Sequence, residues 1–305
     1  QKVIINLGVD GMRRSEQRSK SISRELRTVW WLVLLMAASA MITGMMNLEN
    51  NHTALAASAV SFTKTGGWLE SAYAEWTPVT DATGYNVYCK LATAPDDQYV
   101  KVDALLVREY PLHFRVDVLG LAAGDYVIKV VPTKEGTEIS SAAAVTPSLN
   151  VKAHTREGFA FSPLSPMKTG SGGYNDDGTV PENAQIVYIT PETANTVTLD
   201  VITDSKGKTT TCTGLVNILA ARQKGYDKTP LIFRMIGQVK DSHITGLNSS
   251  GYIQLKGCYN VTFEGVGEDA TAYGWGILIR DAHNVEVRNL GMMLFPDDGV
   301  SLDTG

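Results

Sequence analysis

The sequence predicts an all-β chain in which a β-sandwich is followed by stacked parallel β-coils. Three observations carry this. Gly251–Gly267 (GYIQLKGCYNVTFEGVG) shares its apolar pattern with Trp275–Gly291 (WGILIRDAHNVEVRNLG), displaced by 24 residues; a fixed period of this size marks a stacked repeat. Short alternating runs rich in β-branched and aromatic residues recur from about Ser61 to Val151, with turn residues between them, the pattern of a sandwich. In the second half one stretch, Cys212–Lys224, carries helical spacing.

Composition sets the bounds. With 305 residues, 44% hydrophobic and 19% charged, the chain can bury a sizeable core and holds more than one domain. A formal net charge of -5 gives no general pull toward nucleic acid, and no run of Lys and Arg follows the first thirty residues to supply a local one. Cys89, Cys212 and Cys258 are far apart and odd in number, so neither a disulfide framework nor a zinc site is expected. Cys258 is expected as ordinary core packing.

From the N-terminus, Gln1–Gly11 reads as sequence upstream of a native start at Met12. Arg13, Arg14, Arg18, Lys20, Arg24 and Arg27 then precede the uncharged Val29–Met46, and Ala54-Leu55-Ala56 follows. Basic, apolar and small-residue regions in that order read as a secretory signal peptide; an uncleaved membrane anchor is the competing reading. Both export everything after Ala57, so the expected location is secreted or extracellular, with membrane contact only if the leader stays. Residues 1–57 are thus the leader, 59–152 the sandwich and 155–305 the coils.

Within the sandwich, strands are expected at Ala72–Trp76, Tyr85–Lys90, Phe114–Val118 and Tyr126–Pro132, with turns at Asp81–Gly84 and Ala122–Asp125. Tyr85 and Tyr88 are expected on outward faces. Ser162–Gly178 is rich in Gly, Pro and Ser and reads as a loop or linker. Gly170–Gly173 is no phosphate loop, and Asp176-Asp177-Gly178 reads as a turn rather than a metal site.

Strands are expected next at Gln185–Thr190 and Thr196–Ile202, then the helix Cys212–Lys224, with Thr213 as N-cap and Gly225 closing its end. It would cover the open end of the first coil. Pro230–Val239 reads as one long coil strand. In the two repeats Ile253 aligns with Ile277, Leu255 with Ile279, Asn260 with Asn284, Val261 with Val285, Phe263 with Val287, Val266 with Leu290 and Gly267 with Gly291. A third coil opens at Asp298–Asp303, next to the paired acids Asp297 and Asp298.

Two resemblances follow from these residues. Glu75-Trp76-Thr77-Pro78-Val79, Gly84-Tyr85-Asn86-Val87-Tyr88 and Leu121–Val127 (LAAGDYV) resemble a fibronectin type III module, which implies that Trp76 and Tyr126 are core residues. Gly158-Phe159-Ala160, the Gly-rich Thr169–Tyr174, QIVYIT, the helix, Ile236-Gly237-Gln238-Val239 and the two N-V coil strands occur in the order seen at the start of pectate lyases. That resemblance covers about residues 155–305. It implies a right-handed parallel β-helix with an N-terminal capping helix.

Activity is implied by the resemblance alone: cleavage of α-1,4-linked galacturonan by β-elimination. Calcium on the uronate carboxylate drains charge from the developing enolate-like intermediate while an Arg removes the C5 proton. Asp298, then Asp297, occupies the position of an early calcium ligand in that family, and the pair is also a favourable β-turn sequence. Asp303 is expected as a turn residue. The catalytic Arg and remaining carboxylates are expected beyond Gly305, which implies an inactive N-terminal portion here and a monomer when full length. Arg280 and Arg288 are expected to be solvated surface charges.

Two other functions compete. One is a β-helical polygalacturonan hydrolase using the Asp pair as acid and base, and the other a non-catalytic surface adhesin. Unsaturated, ultraviolet-absorbing products distinguish a lyase from either.

Overall fold

The computed structural model describes residues 58–158, 161, 162, 164 and 170–303. The leader signals and Phe159, Ala160 and Thr169 of the motifs above lie outside the described residues. Among the described residues no helix is long and apolar enough to cross a membrane.

Alternation builds the first half. β2 (Ser71–Trp76) turns Ala72, Ala74 and Trp76 inward and leaves Ser71, Tyr73 and Glu75 partly exposed. It lies between β1 (Phe62–Trp68) and β6 (Phe114–Leu119), which pairs in turn with β5 (Val107–Glu109); β3 (Gly84–Leu91), β4 (Val100–Lys101), β7 (Gly124–Lys134) and β10 (Leu149–Val151) make a second antiparallel sheet, with β8 (Thr137–Glu138) and β9 (Ala144–Val145) on β7. Trp76 and Tyr126 lie in the buried cluster between the sheets, as expected. Tyr85 does not face outward. Its ring packs 5.2 Å from Trp76 and 4.6 Å from Phe114, and its hydroxyl accepts the Val79 N–H at 2.8 Å. Aromatic packing and a satisfied hydroxyl place it inside.

The second half is parallel. β11 (Gln185–Ile189), β14 (Leu231–Met235), β17 (Tyr259–Gly265) and β20 (His283–Arg288) form one sheet; β15 (Gln238–Lys240), β18 (Thr271–Tyr273) and β21 (Gly291–Met293) a second; β16 (Tyr252–Lys256), β19 (Gly276–Arg280) and β22 (Val300–Asp303) a third. From β14 onward the chain visits the three sheets in strict rotation, so each circuit stacks on the one before. Ile253 pairs in register with Ile277, Leu255 with Ile279, Val261 with Val285 and Phe263 with Val287.

The period then breaks. Gly291 pairs with Thr271, a shift of 291 − 271 = 20, and Val300 with Ile277, a shift of 300 − 277 = 23. The expected pairing of Gly267 with Gly291 is therefore wrong, because Val266–Ala270 bulges out of the repeat. Val266 is fully buried in the sandwich's core cluster instead. The described residues accordingly belong to one compact unit.

The remaining expectations shift locally. Thr198–Ile202 (β12) and Thr209–Thr213 (β13) form an antiparallel hairpin outside the three parallel sheets, so Cys212 and the expected N-cap Thr213 are strand. The helix α1 is Leu215–Arg222, started by Gly214 at φ 84°, a backbone conformation that favours glycine. Leu215, Ile218 and Leu219 join the same buried cluster as Leu231 and Ile253. Pro230–Val239 divides into β14 and β15, in different sheets, at Gly237, whose φ is +67°.

Asn260 and Asn284 stand at equivalent corners with φ of 55° and 56°, which Asn tolerates better than other side chains. Asn284 Nδ2 donates to Asn260 Oδ1 at 2.9 Å and to the Gly172 carbonyl at 2.9 Å, while its Oδ1 accepts the Gly172 N–H at 2.9 Å. Replacing Asn284 by Ala is expected to cost about 2–4 kcal/mol in urea unfolding. Asn284→Gly, which relieves the dihedral and loses the same bonds, is expected to cost about 1 kcal/mol less; equal losses would show that the left-handed corner is not strained.

Candidate functional site

Asp297 and Asp298 are exposed in the turn between β21 and β22. The coil above holds that turn. The Asp298 N–H donates to the Tyr252 hydroxyl at 2.8 Å, and Ile277 N–H donates to the Gly299 carbonyl at 2.9 Å. A Cβ on Gly276 would stand 2.2 Å from the Asp298 carbonyl oxygen, so only glycine allows the turn to approach β19 this closely. Both carboxylates are thus presented from a backbone fixed to two successive coils.

Among the described residues no group of three or more His, Cys, Asp or Glu side chains converges to hold a metal. The pair nevertheless fits calcium in kind. Two carboxylates supply hard oxygen donors, of the kind calcium takes in sets of about six to eight. Asp303 is not a turn residue: it ends β22 in register with Arg280, and the two side chains form an ion pair.

Arg288 is no solvated charge either. Its side chain is 12% exposed; Nε donates to Glu264 at 2.9 Å, Nη1 to Glu70 at 3.0 Å, and the guanidinium lies 4.3 Å from the Tyr174 ring centroid. Alternation does turn it away from Val287, and that outer face of the sheet is covered by the sandwich and by the Gly-rich segment. Ser171–Tyr174 is buried rather than a free linker: Gly173 N–H donates to Thr262 Oγ1 at 2.9 Å, and Tyr174 donates to Glu264. Asp176–Gly178 forms a turn as expected, with Asp177 accepting the Thr179 N–H at 3.0 Å.

Between the two halves, six cations and seven acids far apart in sequence come together. Glu70 accepts from Arg156 at 2.6 Å as well as from Arg288; Arg234 Nε donates to Glu264 at 3.0 Å. Arg115 bridges Glu75 at 2.6 Å, Asp117 at 2.9 Å and Glu268 at 3.1 Å. Arg108 pairs with Asp117 and, at 3.1 Å, with Asp269, and Lys64 with Glu268 at 3.1 Å. Glu286 completes the set, 3.5 Å from Arg288. Burial pushes the Glu286 carboxyl up despite Arg288. No sequence run announces this cluster as a whole, because its members come from both halves of the chain, some from strands such as β6, β17 and β20 and others, such as Glu70, Arg156 and Glu268, from the connections between strands.

No protein-family model, curated protein or solved structure matches the chain.

Proposed function

We propose that this chain forms the front coils of a secreted, calcium-dependent pectate lyase acting on polygalacturonate by β-elimination, preceded by a fibronectin type III-like module. The observation that carries the reading is the in-register stack of β16, β19 and β22, with Asp297 and Asp298 set directly before the last of these strands. In this reading Asp297 and Asp298 would hold a calcium ion, which would supply positive charge where negative charge develops on the uronate. A base from later coils takes the C5 proton, since Arg280 and Arg288 are both engaged in ion pairs.

The test has two parts. Calcium titration of this chain with polygalacturonate present is expected to show binding that Asp298→Ala weakens about ten-fold, as loss of a charged ligand would. In the protein carrying the coils that this reading places after Gly305, polygalacturonate is expected to yield unsaturated, ultraviolet-absorbing products only with calcium. Equal calcium binding by wild type and Asp298→Ala would remove the ligand role, and saturated products would favour the hydrolase.

A further inference from the structure

A cleft of about 450 Å³ opens where the first sheet of the sandwich meets the edge of β17 and β20; Trp68, Tyr73, His154, Glu268, Arg288 and Asn289 are among the residues that line it. Trp68 is 67% exposed, whereas Trp76 and Trp275 are fully buried. A large indole left in water at the mouth of a concave cleft is unusual for a residue whose burial is worth several kcal/mol. Nothing in the packing of β1 requires it: the hairpin is closed by the Trp68–Ser71 register pair whatever the side chain.

Electrostatics narrows the ligand. The carboxylates on the cleft wall are already matched, Glu70 by Arg156 and Arg288, Asp117 by Arg108 and Arg115, Glu264 by Arg234 and Arg288, and Glu268 by Lys64 and Arg115. A polyanion would meet four carboxylates and find both lining guanidinium groups engaged; a small cation would meet the same carboxylates already neutralised. Burial and the neighbouring Arg288 lower the His154 pKa, which favours its neutral form. The walls therefore offer little net charge. They do keep hydrogen-bonding capacity: among the described residues the His154 ring, the Tyr73 hydroxyl and Asn289 Oδ1 have no hydrogen-bond partner in the protein, while Asn289 Nδ2 is held by the Gly265 and Gly267 carbonyls at 2.7 and 2.9 Å.

We infer that this junction cleft is a binding site for a neutral saccharide, with Trp68 as the stacking platform for a sugar face and the uncommitted polar groups of the wall pairing with its hydroxyls. A pyranose ring matches both requirements, since its C–H face is apolar and its rim carries donors and acceptors together. The site is separate from the Asp297–Asp298 turn, and the inference does not depend on calcium or on lyase activity. It assigns the cleft to an uncharged saccharide rather than to galacturonan.

The experiment titrates the full chain with linear hexasaccharides of galactose and xylose, and with hexagalacturonate, following tryptophan fluorescence and heat. At least one neutral hexasaccharide is expected to bind and to shield an indole from acrylamide, and hexagalacturonate is expected not to compete. Trp68→Ala is expected to weaken that binding about ten-fold, the factor that ~1.4 kcal/mol of lost ring contact represents; Trp68→Phe is expected to retain part of it. The side chain is mostly in water, so an unchanged far-ultraviolet circular dichroism spectrum checks that the variants fold. No binding of any neutral hexasaccharide at millimolar concentration, equal binding by wild type and Trp68→Ala, or displacement by hexagalacturonate would each overturn the assignment.

Discussion

Replacing Trp275 by Ala is expected to remove about 4–6 kcal/mol of stability, a large share of the roughly 5–15 kcal/mol that holds a domain folded. The residue is fully buried and sits where one circuit of the coil passes into the next strand, β19. Its ring meets Phe263 edge-on at a centroid distance of 6.1 Å, and Nε1 donates to the Val239 carbonyl at 2.9 Å. Truncating a buried Trp to Ala costs about 3–5 kcal/mol through lost transfer energy and the cavity left behind. Loss of the indole N–H bond to the Val239 carbonyl adds about 1 kcal/mol. Trp275→Phe keeps most of the packing and loses the donor, so its cost is expected near 1–2 kcal/mol. Urea unfolding followed by circular dichroism measures both, and a loss below about 1 kcal/mol for Trp275→Ala would mean that the coil interior is not packed as described.

Glu70→Ala is expected to cost about 3–5 kcal/mol, because it leaves two guanidinium groups without their shared carboxylate in a site largely shielded from water. The Glu70 side chain is fully buried and accepts from Arg156 at 2.6 Å and Arg288 at 3.0 Å. Burial alone would raise its pKa, but the hydrogen bonds and charges of Arg156 and Arg288 outweigh burial, and the net shift is downward. The sign of the pH dependence follows. Between the lowered folded value and the ordinary Glu value of about 4.3, the unfolded chain binds more protons than the folded one. Glu70 therefore contributes stability that is fully present above the ordinary Glu range and is lost as pH falls through the folded value. Glu286, raised by burial, contributes in the opposite sense. Glu70→Gln, which keeps the shape without the charge, is expected to flatten the acid limb of the stability–pH curve. An acid limb identical to wild type would show that Glu70 does not titrate in this window.

Legibility in the sequence followed the range of the interactions involved. The pairing of Ile253 with Ile277 and of Val261 with Val285 could be read directly, because a parallel coil repeats its apolar pattern at the spacing at which it stacks. Trp76 and Tyr126 could be placed in the core only through the resemblance of their segments to a fibronectin type III module; the structure buries both. Boundaries set by single glycines were missed. Gly214 starts the helix two residues after the expected Cys212, since Thr209–Thr213 has enough β-branched character to remain strand, and Gly237 bends one apolar run into two sheets.

What lay furthest out of reach was the junction. Arg288 alternates outward on its strand and so reads as a surface charge; Glu264, one coil earlier in register, was within reach of the repeat, but its other partner Glu70 is 218 residues away. A carboxylate delivered by another layer leaves no periodic trace. The same holds for Trp68, whose exposure matters only because β17 and β20 form the opposite wall of the cleft. Asp297 and Asp298 were visible as a pair, and the structure adds what holds their turn: Tyr252, Gly276 and the Gly299 carbonyl.

The central claim is that successive circuits lie directly above one another in parallel register. Methyl-labelled nuclear Overhauser spectroscopy tests it most directly, because in-register parallel strands place equivalent residues about 4.8 Å apart. Strong methyl cross-peaks are expected between Ile253 and Ile277, between Leu255 and Ile279 and between Val261 and Val285. Absence of these peaks, with Ile277 reporting instead on an antiparallel partner, would contradict the stacked coil and the reading of Asp297 and Asp298 that rests on it.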